Sequence, residues 1–399
     1  MTGAAPFDVH DPAFIADPYP HFAAARARAE VHWHPQLELP VAVSHAAASA
    51  VLRHRSLGRI WSDARPLEAF PSFNLLHRNS LLEREPPTHT RLRGLVATAF
   101  GRGHVRRLRP RVHELAAGMV AGLADRAAGD GAADLLDHLA APLPVEVIAE
   151  LLGVPPADRP LLQPWSNAIV KMYEPAPGPE LRRRAERAAT EFVGYLRELV
   201  DLRRRAPGED LISDLVAVRD ADGARLSEDE LVGTVVLLLM AGHEATVNVI
   251  GNGTLALLRH PEAWQKLVAD PGLVPTAVEE LIRYDSPLQL FERTATTDVE
   301  IAGYRVRAGE KIAALLGAAG RDPAVFAEPD RLDVTRSPNP HLGFGAGIHY
   351  CLGAPLARLE IEAALHALVH RMPGLALAGE PVRRREFVIR GLAALPVTA

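Results

Sequence analysis

The chain has 399 residues, 48% of them hydrophobic, and a net charge of −5 from 44 basic and 49 acidic side chains. That length is enough for one large core or two domains, and the charge balance excludes the basic domain that nucleic-acid binding requires. A single cysteine, Cys351, excludes an internal disulfide and a multi-cysteine zinc site.

The N-terminal residues, MTGAAPFDVHDPAFIADPYP, lack the basic and apolar regions of a signal peptide. The longest apolar run, Val235 to Ala241, falls far short of the roughly 18 residues of a membrane span. The expectation is a soluble, cytoplasmic, monomeric protein with no membrane or nucleic-acid partner. In chain order, periodicity predicts a helix over Pro20–Glu30 and a strand over Leu39–Ser44. His32 and His34 stand two apart, but no third ligand lies near them, so they do not read as a metal site. The aromatic stretch Ile60–Leu82 reads as an irregular loop, either a lid or a structural connection. Helices follow over Thr88–Phe100 and Val105–Ala124. The basic segment Arg106–Arg111 in the second of these is either a docking element or a solvated face. A helix over Pro179–Arg205 carries the charged runs Arg182–Arg187 and Leu202–Arg205, which read as solvated. Further helices are predicted over Ser227–Arg259, Val274–Tyr284 and Ala354–Arg371. Strands are predicted over Val299–Val306, with a turn at Gly303, and over Lys311–Leu316 and Leu392–Val397. The fold class is mainly α with a smaller β region. No linker interrupts it, so residues 1–399 read as a single domain.

The Ser227–Arg259 helix starts at a capping box, Ser227 with Glu230, and stops at Pro261. About 32 residues make a rod near 48 Å. Its flanks are apolar nearly all round, which places it in the core. Yet Gly242, His243, Glu244 and Thr246 sit at its middle, and each mid-helix glycine costs about 1 kcal/mol against alanine. The helix is either a kinked core helix whose polar groups pair with neighbours or one wall of a chemical site.

The second concentration is HLGFGAGIHYCLGAPLARLE, His341 to Glu360. Gly343, Gly345 and Gly347 precede Cys351, and a helix pattern with Pro355 in its first turn follows it. The amides and dipole of a helix start favour a thiolate. A phosphate cradle fits poorly, because no Lys-Ser/Thr follows. A cysteine protease fits poorly too, because His349 is only two residues away and no oxyanion framework is apparent.

Phe344, Gly347, Cys351 and Gly353, with two, three and one residues between them, resemble the haem-binding loop of the cytochrome P450 family. Other motifs follow in that family's order along essentially the whole chain. Glu280 and Arg283 resemble its Glu-x-x-Arg pair, and Arg331 resembles the third member of that charge network. His89 and Arg93 in PPTHTRLRGLV, Arg293 in FERTA, and His349 resemble its haem-propionate contacts. Ala241, Gly242 and Glu244 match its oxygen-activation segment. The family's first threonine is replaced by Ala245, and Thr246 falls about 100° further round the helix.

The resemblance implies the cytochrome P450 fold, with a long central helix over a buried haem. It also implies haem b with Cys351 as axial ligand to the iron, backed by Phe344, Gly345, Gly347 and Gly353. Amides of Leu352 and Gly353 are expected on the sulfur. Gly242 would make room for dioxygen, and Glu244 would relay protons. The implied activity is hydroxylation or epoxidation of a medium-sized organic substrate, a natural-product intermediate, with electrons from an external ferredoxin and ferredoxin reductase. Ala245 points to a substrate hydroxyl or an ordered water in proton delivery. The alternatives are a non-insertion oxidation such as ring coupling, the use of peroxide, or a non-catalytic haem binder or sensor. The substrate pocket is expected to use Leu237, Met240, Ala241, Gln289, Leu290 and Ile389, with the Ile60–Leu82 loop.

Overall fold

The computed structural model describes residues 5–101, 103–173, 177–219 and 222–398. They form two compact units. One comprises the chain up to Gly58, Val112–Leu143, and Ala245 onward; the other comprises Arg59–Arg111 and Pro144–Glu244.

The first unit holds a five-stranded sheet. Its order is Val31–His34, Leu39–Ala42, Lys311–Leu315, Leu290–Ala295 and Leu57–Gly58. The Leu39 and Lys311 strands pair in parallel, and the other neighbours are antiparallel. Apolar clusters lie on its faces, one around Val51, Ile312 and Leu342 and the other around Phe14, Phe22 and Leu315. Val299–Ile301 and Tyr304–Val306 form the hairpin expected around Gly303. The C-terminal segment is not one strand: Leu392–Ala394 and Pro396–Thr398 belong to different sheets. Helix Val274–Tyr284 packs against helix Ala354–Arg371.

In the second unit, Pro179–Arg205 packs on Arg159–Val170 and on Pro71–Arg78. The solvated reading of its charges holds for Arg183, Arg184 and Arg187, while Ala185, Ala188, Ala189 and Phe192 face inward. The helix Pro71–Arg78 lies in the stretch read as an irregular loop, which corrects that reading. Glu186 caps its first turn, accepting from the Ser72 and Phe73 amides at 3.0 Å each. Trp61 stacks on His77, whose Nε2 meets the Tyr173 hydroxyl at 2.9 Å.

The core helix, Glu228–Arg259, opens with the expected capping box: Ser227 N–H donates to Glu230 Oε2 at 2.8 Å and Glu230 N–H to Ser227 Oγ at 3.2 Å. By length and composition it could cross a membrane, but most of its apolar window is buried inside protein. Its glycines admit neighbouring chain. A Cβ at Gly233 would meet the Leu76 carbonyl at 3.0 Å, one at Gly251 the Leu136 side chain at 2.9 Å, and one at Gly253 the Leu281 side chain at 2.9 Å.

Candidate functional site

Cys351 is half-buried and ends the loop that leads into helix Ala354–Arg371, with Pro355 in the first turn. Its amide donates to the Phe344 carbonyl at 2.9 Å, which closes the loop on itself. Gly345 and Gly347 take φ of +70° and +71°, where a side chain is strained. At Gly347 a Cβ would also meet the Leu52 carbonyl at 2.6 Å, so the loop backbone lies directly on helix His45–Arg53. The Cys351 sulfur stands 4.0 Å from where a Gly353 Cβ would be, over the start of the following helix. Phe291 lies against Gly345, which sets the loop beside the strand that carries Arg293. Arg293 is buried and His349 half-buried, and both share a unit with the cysteine.

Glu280 and Arg283 form the expected pair, fully enclosed, with two contacts of 2.7 Å. The third member is not Arg331. Its guanidinium is exposed and pairs with Glu328 at 3.0 Å, and only its carbonyl joins the network, accepting from Arg283 at 3.2 Å. Arg336 takes the place instead, with Nε 3.1 Å and 3.3 Å from the two Glu280 oxygens. The chain turns between the two arginines, so the later one is aimed inward. Asn339 adds a further bond to Glu280 at 3.1 Å.

A second set of contacts on the cysteine loop carries no motif that the sequence reading singled out. Glu279 accepts from Arg358 at 2.5 Å and 2.9 Å and faces His341 Nε2 at 3.1 Å. Burial alone would raise the Glu279 carboxyl, but Arg358 and His341 outweigh it and hold the group at about 2.

The core helix is enclosed over residues 231–236 and 246–257, and between them Leu237, Leu238, Ala241, Gly242, Glu244 and Ala245 are accessible. At about 100° per residue these six lie on one side of the helix. Thr246 is 4% exposed and enclosed about 100° round from Ala245, which corrects its inclusion among the catalytic residues. Gly242 is half-accessible, and a Cβ there would meet the Ile148 side chain at 3.0 Å, so the missing side chain also admits a neighbouring helix. His243 is buried, with Nδ1 donating to the Leu239 carbonyl at 2.8 Å. Burial pushes its imidazole below the usual basicity.

His89 and Arg93 lie one turn apart on helix Thr88–Phe100 in the second unit, the first buried and the second half-buried. Of the expected substrate residues, Leu237, Ala241 and Ile389 are accessible and Met240 is nearly enclosed. Gln289 is fully buried: its amide donates to the Ser286 carbonyl at 2.7 Å and its oxygen lies against Gly317. Leu290 belongs to an apolar core cluster. Both are corrected as pocket walls. The accessible neighbour is Leu288, which bridges to Ile389. In the basic segment, Arg111 pairs with Glu150 at 3.3 Å and Arg107 meets His104 at 2.8 Å.

These residues fit a haem held by a thiolate. The chain's only thiol sits on a glycine-shaped loop at a helix start, and the core helix leaves one face open beside Glu244.

The family model described as "Cytochrome P450" matches residues 41–271 and 272–373. The cytochrome P450 monooxygenase PikC of Streptomyces venezuelae is 43% identical over 96% of this chain and 91% of its own length. The mycinamicin IV hydroxylase/epoxidase of Micromonospora griseorubida is 43% identical over 80% of each chain. Among solved structures, P450BioI in complex with an acyl carrier protein ligated to hexadec-9Z-enoic acid superposes with a TM-score of 0.90 at 36% identity, covering 97% of this chain and 98% of that one.

Proposed function

Because this chain belongs to the cytochrome P450 family and is a haem-dependent monooxygenase, we propose that it hydroxylates or epoxidises a medium-sized natural-product intermediate without a threonine hydroxyl in proton delivery. The names of its relatives, a hydroxylase/epoxidase among them, support that reaction class. Cys351 would hold haem b through its thiolate, and the bound haem would supply dioxygen activation.

The chain's own residues supply the rest. His89, Arg93, Arg293 and His349 are the cationic and hydrogen-bonding groups that would take the propionates. Phe344, Gly345, Gly347 and Gly353 shape the loop that backs the cofactor. Glu244, accessible on the open face of the core helix, takes protons from water and passes them inward. Leu237 and Ala241 in one unit, and Leu288 and Ile389 in the other, are each accessible apolar residues of the kind an organic substrate needs.

The observation that carries the proposal is the placement of three neighbours. Glu244 and Ala245 are accessible, whereas Thr246 is enclosed. The hydroxyl that would hold a water beside Glu244 is therefore replaced by a methyl group, and Thr246 does not substitute for it. A hydroxyl of the substrate, or a water that the substrate orders, fills the gap. Ala245→Thr tests this. With the native substrate, found by a spin-state binding screen of the ferric protein, coupling of reductant to product should stay level or fall. A marked rise in coupling would refute the reading.

Electrons come from an external redox partner, which we take to be a ferredoxin with its reductase. Ile348 and Tyr350 on the cysteine loop, 48% and 40% exposed, offer it an apolar contact. We place the protein in the cytoplasm as a monomer, and sedimentation of the purified protein tests the oligomeric state.

A further inference from the structure

We infer that Glu279 and Arg358 are positioning residues that lock the Cys351 loop into one backbone conformation. The inference rests on Cys351 being the iron ligand.

Arg358 stands on the helix that begins just after the cysteine. Its guanidinium carbon lies 4.4 Å from the centre of the Phe344 ring. The same group donates to both Glu279 oxygens, at 2.5 Å and 2.9 Å, and interacts with the Tyr350 side chain. Phe344 and Tyr350 are not arbitrary contacts. The Phe344 carbonyl accepts the Cys351 amide at 2.9 Å, and Tyr350 precedes the cysteine in the chain. One planar cation thus holds the acceptor of the cysteine's amide and the residue before the cysteine.

Glu279 anchors that cation to helix Val274–Tyr284 and holds the loop's other end. Its Oε2 accepts from His341 Nε2 at 3.1 Å, and His341 Nδ1 accepts the Gly343 amide at 3.1 Å. At Gly343 the backbone presses on the same helix, where a Cβ would stand 2.4 Å from Ile282. The loop is therefore pinned at His341, Gly343, Phe344 and Tyr350 to one rigid helix. A lysine at position 358 keeps the charge. It cannot stack on Phe344, bind Glu279 through two donors and reach Tyr350 at once, because those tasks need a planar fork.

The test uses the haem-loaded protein and the variants Arg358→Lys, Glu279→Gln and Glu279→Asp, with Arg331→Gln as a control on the exposed surface. Two quantities are read: the lifetime of the thiolate-type absorption of the reduced carbon monoxide complex, and the exchange rate of the Cys351 amide. Arg358→Lys and Glu279→Gln should keep the wild-type circular dichroism, yet lose the thiolate-type absorption and exchange that amide about ten-fold faster, as expected for loss of one charge-assisted hydrogen bond. Glu279→Asp should recover part of both, and Arg331→Gln should match wild type. Arg358→Lys with wild-type lifetime and exchange overturns the inference. If that variant fails to accumulate, Glu279→Gln decides in the same way. A wild-type protein without a thiolate-type spectrum would instead remove the haem-thiolate reading, and amide exchange would still decide whether the loop is clamped.

Discussion

Arg336→Gln is the sharpest test of the charge network beneath the cysteine loop. Glu280 is fully enclosed and receives Arg283 through two donors, Arg336 through one nitrogen, and Asn339. The Arg336 side chain is only 11% exposed. Replacing it removes one of the two cations that compensate a buried carboxylate, and it frees the Ala327 carbonyl, to which Arg336 donates at 2.8 Å. Breaking one partner from a buried pair costs about 3–5 kcal/mol. Arg283 stays in place, so the lower end of that range applies, on the order of 3 kcal/mol. Arg331→Gln removes an exposed i,i+3 pair with Glu328 and should cost less than about 0.5 kcal/mol. Urea unfolding followed by far-UV circular dichroism, with both variants in parallel, measures the contrast. Equal destabilisation, or a greater loss for Arg331→Gln, would refute the assignment of Arg336 to the network.

Two further outcomes follow from the same loop. Gly347→Ala must place a Cβ 2.6 Å from the Leu52 carbonyl in a left-handed backbone, whereas Gly345→Ala meets nothing closer than 3.7 Å. Both suffer left-handed strain of about 1–3 kcal/mol, but only Gly347→Ala also displaces the loop, so it should retain far less haem on purification. Glu279 makes the stability depend on pH. Its carboxyl is lowered from 4.5 to about 2 in the folded protein, so it stabilises the fold above its unfolded pKa, and that contribution is lost as pH falls from 4.5 towards 2. Acid unfolding of Glu279→Gln should therefore be shallower than wild type through that window, and identical slopes would contradict the pairing.

What the sequence made legible was local. Helix Val274–Tyr284 and helix Ala354–Arg371 agree with the periodicity to the residue, because apolar spacing and proline or capping signals act within a few turns. The cysteine loop was legible for the same reason, since its glycines, cysteine and helix start lie within one short stretch. The charge network was legible only as far as Glu280 and Arg283, which are neighbours on one helix. Its third member depends on how an irregular segment folds back, and two arginines five residues apart cannot be ranked by spacing. Gln289 and Leu290 failed differently. The accessible Leu288 lies just before the strand that begins at Leu290, and apolar spacing does not show where that segment turns inward to enclose Gln289 and Leu290.

The middle of the core helix separates two reasons for a residue being small or polar, and periodicity alone merges them. At Gly242 a Cβ would meet Ile148, and His243 is polar yet buried, bonded to the carbonyl one turn back. Both belong to the packing of a long buried rod. Glu244 and Ala245 lie on the accessible side of the helix, Ala245 one turn on from Gly242. A carboxyl group and a methyl group thus stand next to each other on that side, with no hydroxyl at position 245. Packing does not require alanine there, since the position is accessible and threonine would fit a helix at a cost of only about 0.7 kcal/mol. Under the proposed function the absent hydroxyl belongs to the site, so a substitution at Ala245 should change the reaction while leaving the fold intact.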